Sequence, residues 1–241
     1  MLGAFAILGI ACRLSTSLLL MLAISKDQRP QQDKLPSSPY KEYSFPNQPK
    51  LQNAIDMYKE GYQELQNGKY NDACDTFMTG IFMGRSTVQN LLLNEEDNHE
   101  EEKDNTSQVA LDWLISSYIL CCCARIANND YTKARADAWA ACSYSQGSSG
   151  MVYINPNTTL QALLCMLVVC ENSDDTIGEL QTLKSIKPLL VDADSDNDGE
   201  KQQQATLRVT NDVILSSPTL TSMDILQERI QQLEDELFSK K

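Results

Sequence analysis

Residues 57–81 read MYKEGYQELQNGKYNDACDTFMTGI. Ala54, Met57, Tyr58, Gly61 and Leu65 lead into this stretch at i, i+3, i+4, i+7 and i+11, the face of one helix. Asn67-Gly68 ends that helix, because glycine tolerates the left-handed conformation in which helices stop. A second helix is expected from Tyr70 to about Met83, with Tyr70, Ala73, Phe77 and Gly80 spaced 3, 4, 3. Small residues at Gly61, Ala73 and Gly80 let two antiparallel helices approach to about 8–10 Å, with Tyr70 and Phe77 filling the space beside them. The same spacing returns at Tyr131, Ala134, Ala138 and Ala141, behind the turn Asn128-Asn129-Asp130. A recurring helical hairpin is a packing device and not a reaction centre.

Working outward, helical patterning resumes after the acidic run 94–107 with Ala110, Trp113, Leu114, Ser117, Tyr118 and Cys121. Residues 131–144 continue it, 146–150 read as a loop, and 157–170 are apolar enough for burial on several sides. At that length they are too short to cross a bilayer. Asp174-Asp175 cap a further helix to about Leu190. The expected organisation is a body over 51–190, a polar linker over 191–217 and an amphipathic helix within 218–241. That last helix carries Met223, Leu226, Ile230, Leu233 and Leu237 as a seam of about two heptads. The seam suits capping of the body first and weak self-association through 221–239 second. Residues 26–50 hold five of the eight prolines and read as a linker with little surface to bury.

Residues 54–85 resemble a tetratricopeptide (TPR) repeat through Gly61, Gly68, Tyr70, Ala73, Phe77 and Gly80. Residues 115–146 resemble a weaker copy, with Cys122 where a glycine is expected and Ala138 in place of an aromatic. Residues 157–190 could supply a third helix pair but keep none of the signature residues. The resemblance implies an all-α fold of antiparallel hairpins stacked as a short right-handed solenoid. It also implies peptide binding in the groove lined by the first helices, and Tyr58 and Tyr62 are the candidate groove residues. The Lys and Asn clamp of chaperone-tail receptors is absent there, which favours an aromatic groove for an apolar or helical segment. The first hairpin also resembles a MIT domain, a three-helix trafficking module, whose third helix would fall on the acidic run.

The net charge of −13 over 241 residues argues against nucleic-acid partners, which call for clustered Lys and Arg. Residues 2–24 contain one charge, Arg13, and as a helix would span about 35 Å. A cleaved signal ending near Ala23-Ile24-Ser25, an uncleaved anchor and an organelle leader all remain open. As an anchor, Lys26, Arg29 and Lys34 would hold the body on the cytosolic side. As a cleaved signal, Asn105-Thr106-Ser107 and Asn157-Thr158-Thr159 would become glycosylation acceptors. Either way the chain is expected at, or delivered through, a membrane.

No catalytic set and no cofactor site stands out: GxSxG, HExxH and P-loop patterns are missing, and His99 is the one histidine. A role as subunit of an enzyme complex is the remaining alternative. Seven cysteines follow Cys12, all in apolar helical patterns, and suit buried free thiols better than a disulfide framework or zinc. Asp194-Ser195-Asp196-Asn197-Asp198-Gly199 matches the first half of a calcium loop, but Ala205 stands where the closing Glu should be. An acidic linker is the expected role of that stretch.

Overall fold

A computed structural model describes residues 39–97, 106–145, 156–194, 206–210 and 213–239. They belong to one unit, Pro36–Lys241. The apolar stretch 2–24, His99, the acceptor Asn105 and the half calcium loop beyond Asp194 lie outside the described residues.

Among the described residues the fold is mostly helical, with α1 (Pro49–Gln66), α2 (Tyr70–Asp97), α3 (Thr106–Ala127), α4 (Tyr131–Ser145), α5 (Pro156–Asn172), α6 (Thr176–Asp194) and α7 (Met223–Phe238). Each helix from α1 to α6 packs on the next in sequence, and α7 packs on α6. Three of the connections are alike. Residues 67–69, 128–130 and 173–175 join α1 to α2, α3 to α4 and α5 to α6. Two packed helices joined by so short a turn must run antiparallel.

The three turns share one geometry. Gly68, Asn129 and Asp174 hold φ of 73°, 58° and 53°. The next residue donates its backbone N–H five residues back: Lys69 to Glu64, Asp130 to Arg125 and Asp175 to Cys170. This is the Schellman closure of a helix end. Asp130 and Asp175 then cap the following helix, accepting from the N–H of Lys133 at 3.2 Å and Gly178 at 3.0 Å. The third hairpin thus keeps the turn of the first two although it lacks their signature residues. An Asp in the left-handed position hid it, since glycine visits that conformation routinely and Asp only occasionally.

The first hairpin closes as its spacing predicts. A methyl group on Gly61 would lie 2.9 Å from the Phe77 ring, and one on Gly80 would lie 2.9 Å from the Ala54 carbonyl. Ala73 and Phe77 are fully buried, and Tyr70 is half-buried. In the second hairpin Ala134, Ala138 and Ala141 are fully buried and Tyr131 is half-buried. Gly84, absent from the repeat reading, faces the Trp113 indole of α3 so closely that a methyl there would overlap the ring.

Helix α2 continues to Asp97 and not to about Met83, because Val88 is buried and Leu91 and Leu92 pack on the core past that point. The acidic run is correspondingly shorter than expected: its start is helical, and Thr106 and Ser107 open α3. Helix α3 is long and apolar enough to cross a membrane. Its sides are taken by α2, α4 and α5, and Trp113, Leu114, Ile115, Ile119 and Leu120 are fully buried, so its composition is that of a central core helix.

The described parts of the two expected linkers pack on the helical body. Two strands, β1 (Thr206–Arg208) and β2 (Ile214–Ser216), pair as an antiparallel β hairpin with Leu207 opposite Leu215. Val209, Val213 and Leu215 are buried, and β2 packs on α5. Residues 39–48 also pack on the helices, with Tyr43 and Phe45 buried. In both segments polar and proline content masked a few apolar side chains, and those decide burial once a helical surface is beside them.

The α7 seam faces inward, with Leu226 and Leu233 buried. Arg229 grips the buried Glu179 of α6 through two bonds of 2.7 and 2.9 Å, and Lys184 pairs with Glu234 at 2.6 Å. Glu179 stands five residues after the left-handed Asp174, where the first two hairpins place Ala73 and Ala134. At that place the third hairpin has a carboxylate that holds α7 instead of an alanine packed between helices.

Candidate functional site

Residues 39–45, PYKEYSF, cross the first helices of all three hairpins. This strap has no regular secondary structure and ends in a turn at Pro46-Asn47 where Gln48 N–H bonds back to Phe45 O at 3.0 Å. Its backbone is held by side chains of α1. Lys41 N–H donates to the Tyr58 hydroxyl at 3.2 Å, that hydroxyl faces Pro39 O at 3.5 Å, and Phe45 N–H donates to Gln52 Oε1 at 3.1 Å.

Its side chains reach α3 and α5. Lys41 Nζ lies 2.9 and 2.8 Å from the two Asp112 oxygens and 3.0 Å from Thr158 Oγ1. Thr158 in turn donates to Asp112 Oδ1 at 2.8 Å. Tyr43 donates its hydroxyl hydrogen to Asp112 Oδ2 at 2.8 Å. A phenol has one hydrogen, so the 2.9 Å contact with Ser116 is donated by the serine. Asp112 is therefore the hub of the site: one carboxylate on α3 accepts from an ammonium, a phenol and a threonine.

Aromatic rings complete it. Tyr40 stacks on Tyr62 at 4.1 Å and on Tyr58 at 5.4 Å, while Tyr43 meets Tyr58 edge-on at 5.7 Å. Tyr58 reaches Phe77 behind it at 6.1 Å. Burial raises the pKa of Tyr43 and Tyr58 far above that of a free phenol, and the neighbouring tyrosines and Asp112 add to the shift for each. Both are neutral hydrogen-bonding rings at any physiological pH.

The structure brings the two candidate groove residues together, but not as open lining. Tyr58 is 1% exposed beneath the strap. Tyr62 is half-buried and donates to Val209 O at 3.1 Å, so the β hairpin reaches the same edge of α1. Asp112, Ser116 and Thr158 were missed by sequence reading. Asp112 stood in the sequence as the lone charge between Ala110 and Arg125, which is the signal that could have found it.

The cysteines lie elsewhere. All seven described ones are buried and free, and Cys123 Sγ is 3.8 Å from Cys165 Sγ between α3 and α5. Burial pushes the Cys142 thiol up to about 12 and Cys170 to about 11. Among the described residues no group of three or more His, Cys, Asp and Glu is placed to hold a metal ion. Arg125, near Cys121 and Cys122 in the sequence, pairs with the buried Asp137 of α4 at 2.7 Å. Burial raises the Asp137 carboxyl above its usual range against the pull of that guanidinium. The pair ties α3 to α4.

No protein family, curated protein or solved structure matches this chain.

Proposed function

We propose that this protein is a non-catalytic adaptor or assembly factor, built as a short TPR-like stack of three helical hairpins, that binds extended peptide segments in the groove across α1, α3 and α5. The observation that carries the reading is the strap. A stretch of chain without regular secondary structure already lies across the first helices, its backbone bonded by α1 side chains and its side chains received by α3 and α5. That division of labour is how folded domains hold peptides: main-chain bonds give affinity and side-chain contacts give selectivity. Three hairpins with one turn geometry, each helix packed on its neighbour, support the stacked arrangement. The apolar stretch 2–24 keeps its place in this reading as the element that holds the adaptor at a membrane or delivers it through one.

A MIT-like trafficking module remains the second reading, and the helices running past three weigh for the first. The test is quantitative affinity capture with the full chain against an Asp112→Asn variant whose helicity is checked by circular dichroism. The adaptor reading expects a common set of partners to fall several-fold in the variant. A capture profile indifferent to Asp112 would sink it.

A further inference from the structure

We infer that the groove selects an extended peptide bearing an aromatic residue, a Lys or Arg directly after it and a Tyr two residues further on, and that residues 39–45 occupy it as a built-in competitor. The inference rests on the adaptor reading and names both its ligand and its control.

The chemistry follows from what the strap satisfies. Asp112 presents a carboxylate across from Tyr58 and Tyr62, so the site recognises a cation flanked by rings. This is the reverse of a groove that clamps a terminal carboxylate. Lys41 and Asp112 keep side-chain exposures of 29% and 21%, which leaves the ion pair at the rim, where one ammonium can exchange for another. Tyr43 reaches deeper, to Asp112 and Ser116 together, and a phenylalanine in its place would leave both without that hydroxyl.

The strap's side-chain and backbone contacts with α1, α3 and α5 are ones that a free peptide can reproduce. None is a strand pairing or part of a helix, and the strap ends at a turn before α1 begins at Pro49. The strap can therefore leave while α1 stays folded. A proline at the first helical position favours a helix start at Pro49, with Gln48 outside the strap accepting the first backbone bond. A segment open in about 1–10% of molecules weakens the apparent affinity of an outside ligand by about ten- to a hundredfold.

The test uses the full chain and a fluorescein-labelled peptide, SPYKEYSFPN, copied from residues 38–47. Binding is read by fluorescence polarisation for the unaltered chain and for a Tyr40→Ala/Lys41→Ala variant, which loosens the strap and leaves every groove residue in place. The variant is expected to bind at least about tenfold more tightly, and a peptide with Glu in place of its Lys is expected to lose that binding. Equal affinity for both chains would overturn the competitor while leaving the groove reading intact. Binding by neither, with the variant still folded, would overturn both. Should the variant unfold, hydrogen exchange of residues 40–45 in the unaltered chain at millimolar peptide decides. Faster exchange supports displacement, and unchanged exchange refutes it.

Discussion

Replacing Asp112 tests how the strap is fastened, and the structure ranks its two partners. Lys41 is the charged partner, but its side chain is 29% exposed. Once freed, its ammonium turns to water, so screening and side-chain entropy reduce the pair to about 1 kcal/mol. Tyr43 is the neutral partner, and its side chain is buried. Its hydroxyl keeps Ser116 but loses a bond to a charged acceptor, worth about 1.5–3 kcal/mol. Thr158 loses a similar bond. These losses are an upper bound of about 4–7 kcal/mol. Because Asp112 keeps 21% of its side chain exposed, water offsets part of them. Asp112→Ala should therefore destabilise the protein by about 3–5 kcal/mol in urea unfolding, the range for breaking a buried charged network. Double-mutant cycles separate the partners. The Tyr43→Phe/Asp112→Asn coupling should exceed that of Lys41→Ala/Asp112→Asn by about 1 kcal/mol. If the lysine coupling proved larger, or both fell to zero, the argument that burial and not charge secures the strap would be refuted.

Other outcomes follow from the same packing. Gly80→Ala gains about 1 kcal/mol of helix propensity, but its methyl meets the Ala54 carbonyl, which cannot move aside. Overpacking of about 1–3 kcal/mol should outweigh the gain, and a lowered urea midpoint checks it. Arg229→Ala strands the buried Glu179 carboxylate and should cost about 2 kcal/mol, seen as faster hydrogen exchange in α7. Tyr43 and Tyr58 have folded pKa values above the unfolded value of about 10. The folded state therefore holds their protons longer, and stability should be full below pH ~10 and fall as pH rises beyond it. Unfolding measured at pH 9 and 11 shows that loss, and Tyr58→Phe should reduce its slope. At pH 8 a thiol reagent should modify at most Cys12 before unfolding, because the other seven are buried. Release of more than one thiol from the native chain would contradict the core.

The hairpin motif was legible because its physics is local. Gly61, Gly80 and Ala73 are small where a facing helix approaches, and a spacing of 3 and 4 places them on one side. The third hairpin was legible as two helices but not as a copy, since Asp174 serves the turn that Gly68 and Asn129 serve elsewhere. Leu183 and Ile186 fill the interior there in place of small and aromatic residues. Helix α2 runs further than its spacing indicates because the 3, 4, 3 pattern stops at Gly80 and only the side chains of Val88, Leu91 and Leu92 carry contact with the core beyond Met83, too few to make a period.

What the sequence by itself determined was the succession of helices, the turns between them and the identity of the apolar faces. Each depends on residues within a turn or two of one another, so spacing along the chain records it. Tertiary structure alone decided the site. Asp112 meets Lys41, Tyr43 and Thr158 across 71, 69 and 46 residues of chain. No periodicity links such partners. A proline-rich segment and a polar one became a strap and a β hairpin because folded helices offered surface to a few rings and aliphatic side chains. Tyr58 and Tyr62 could be named from the sequence as groove candidates only, and the packed chain placed its own Tyr40 upon them.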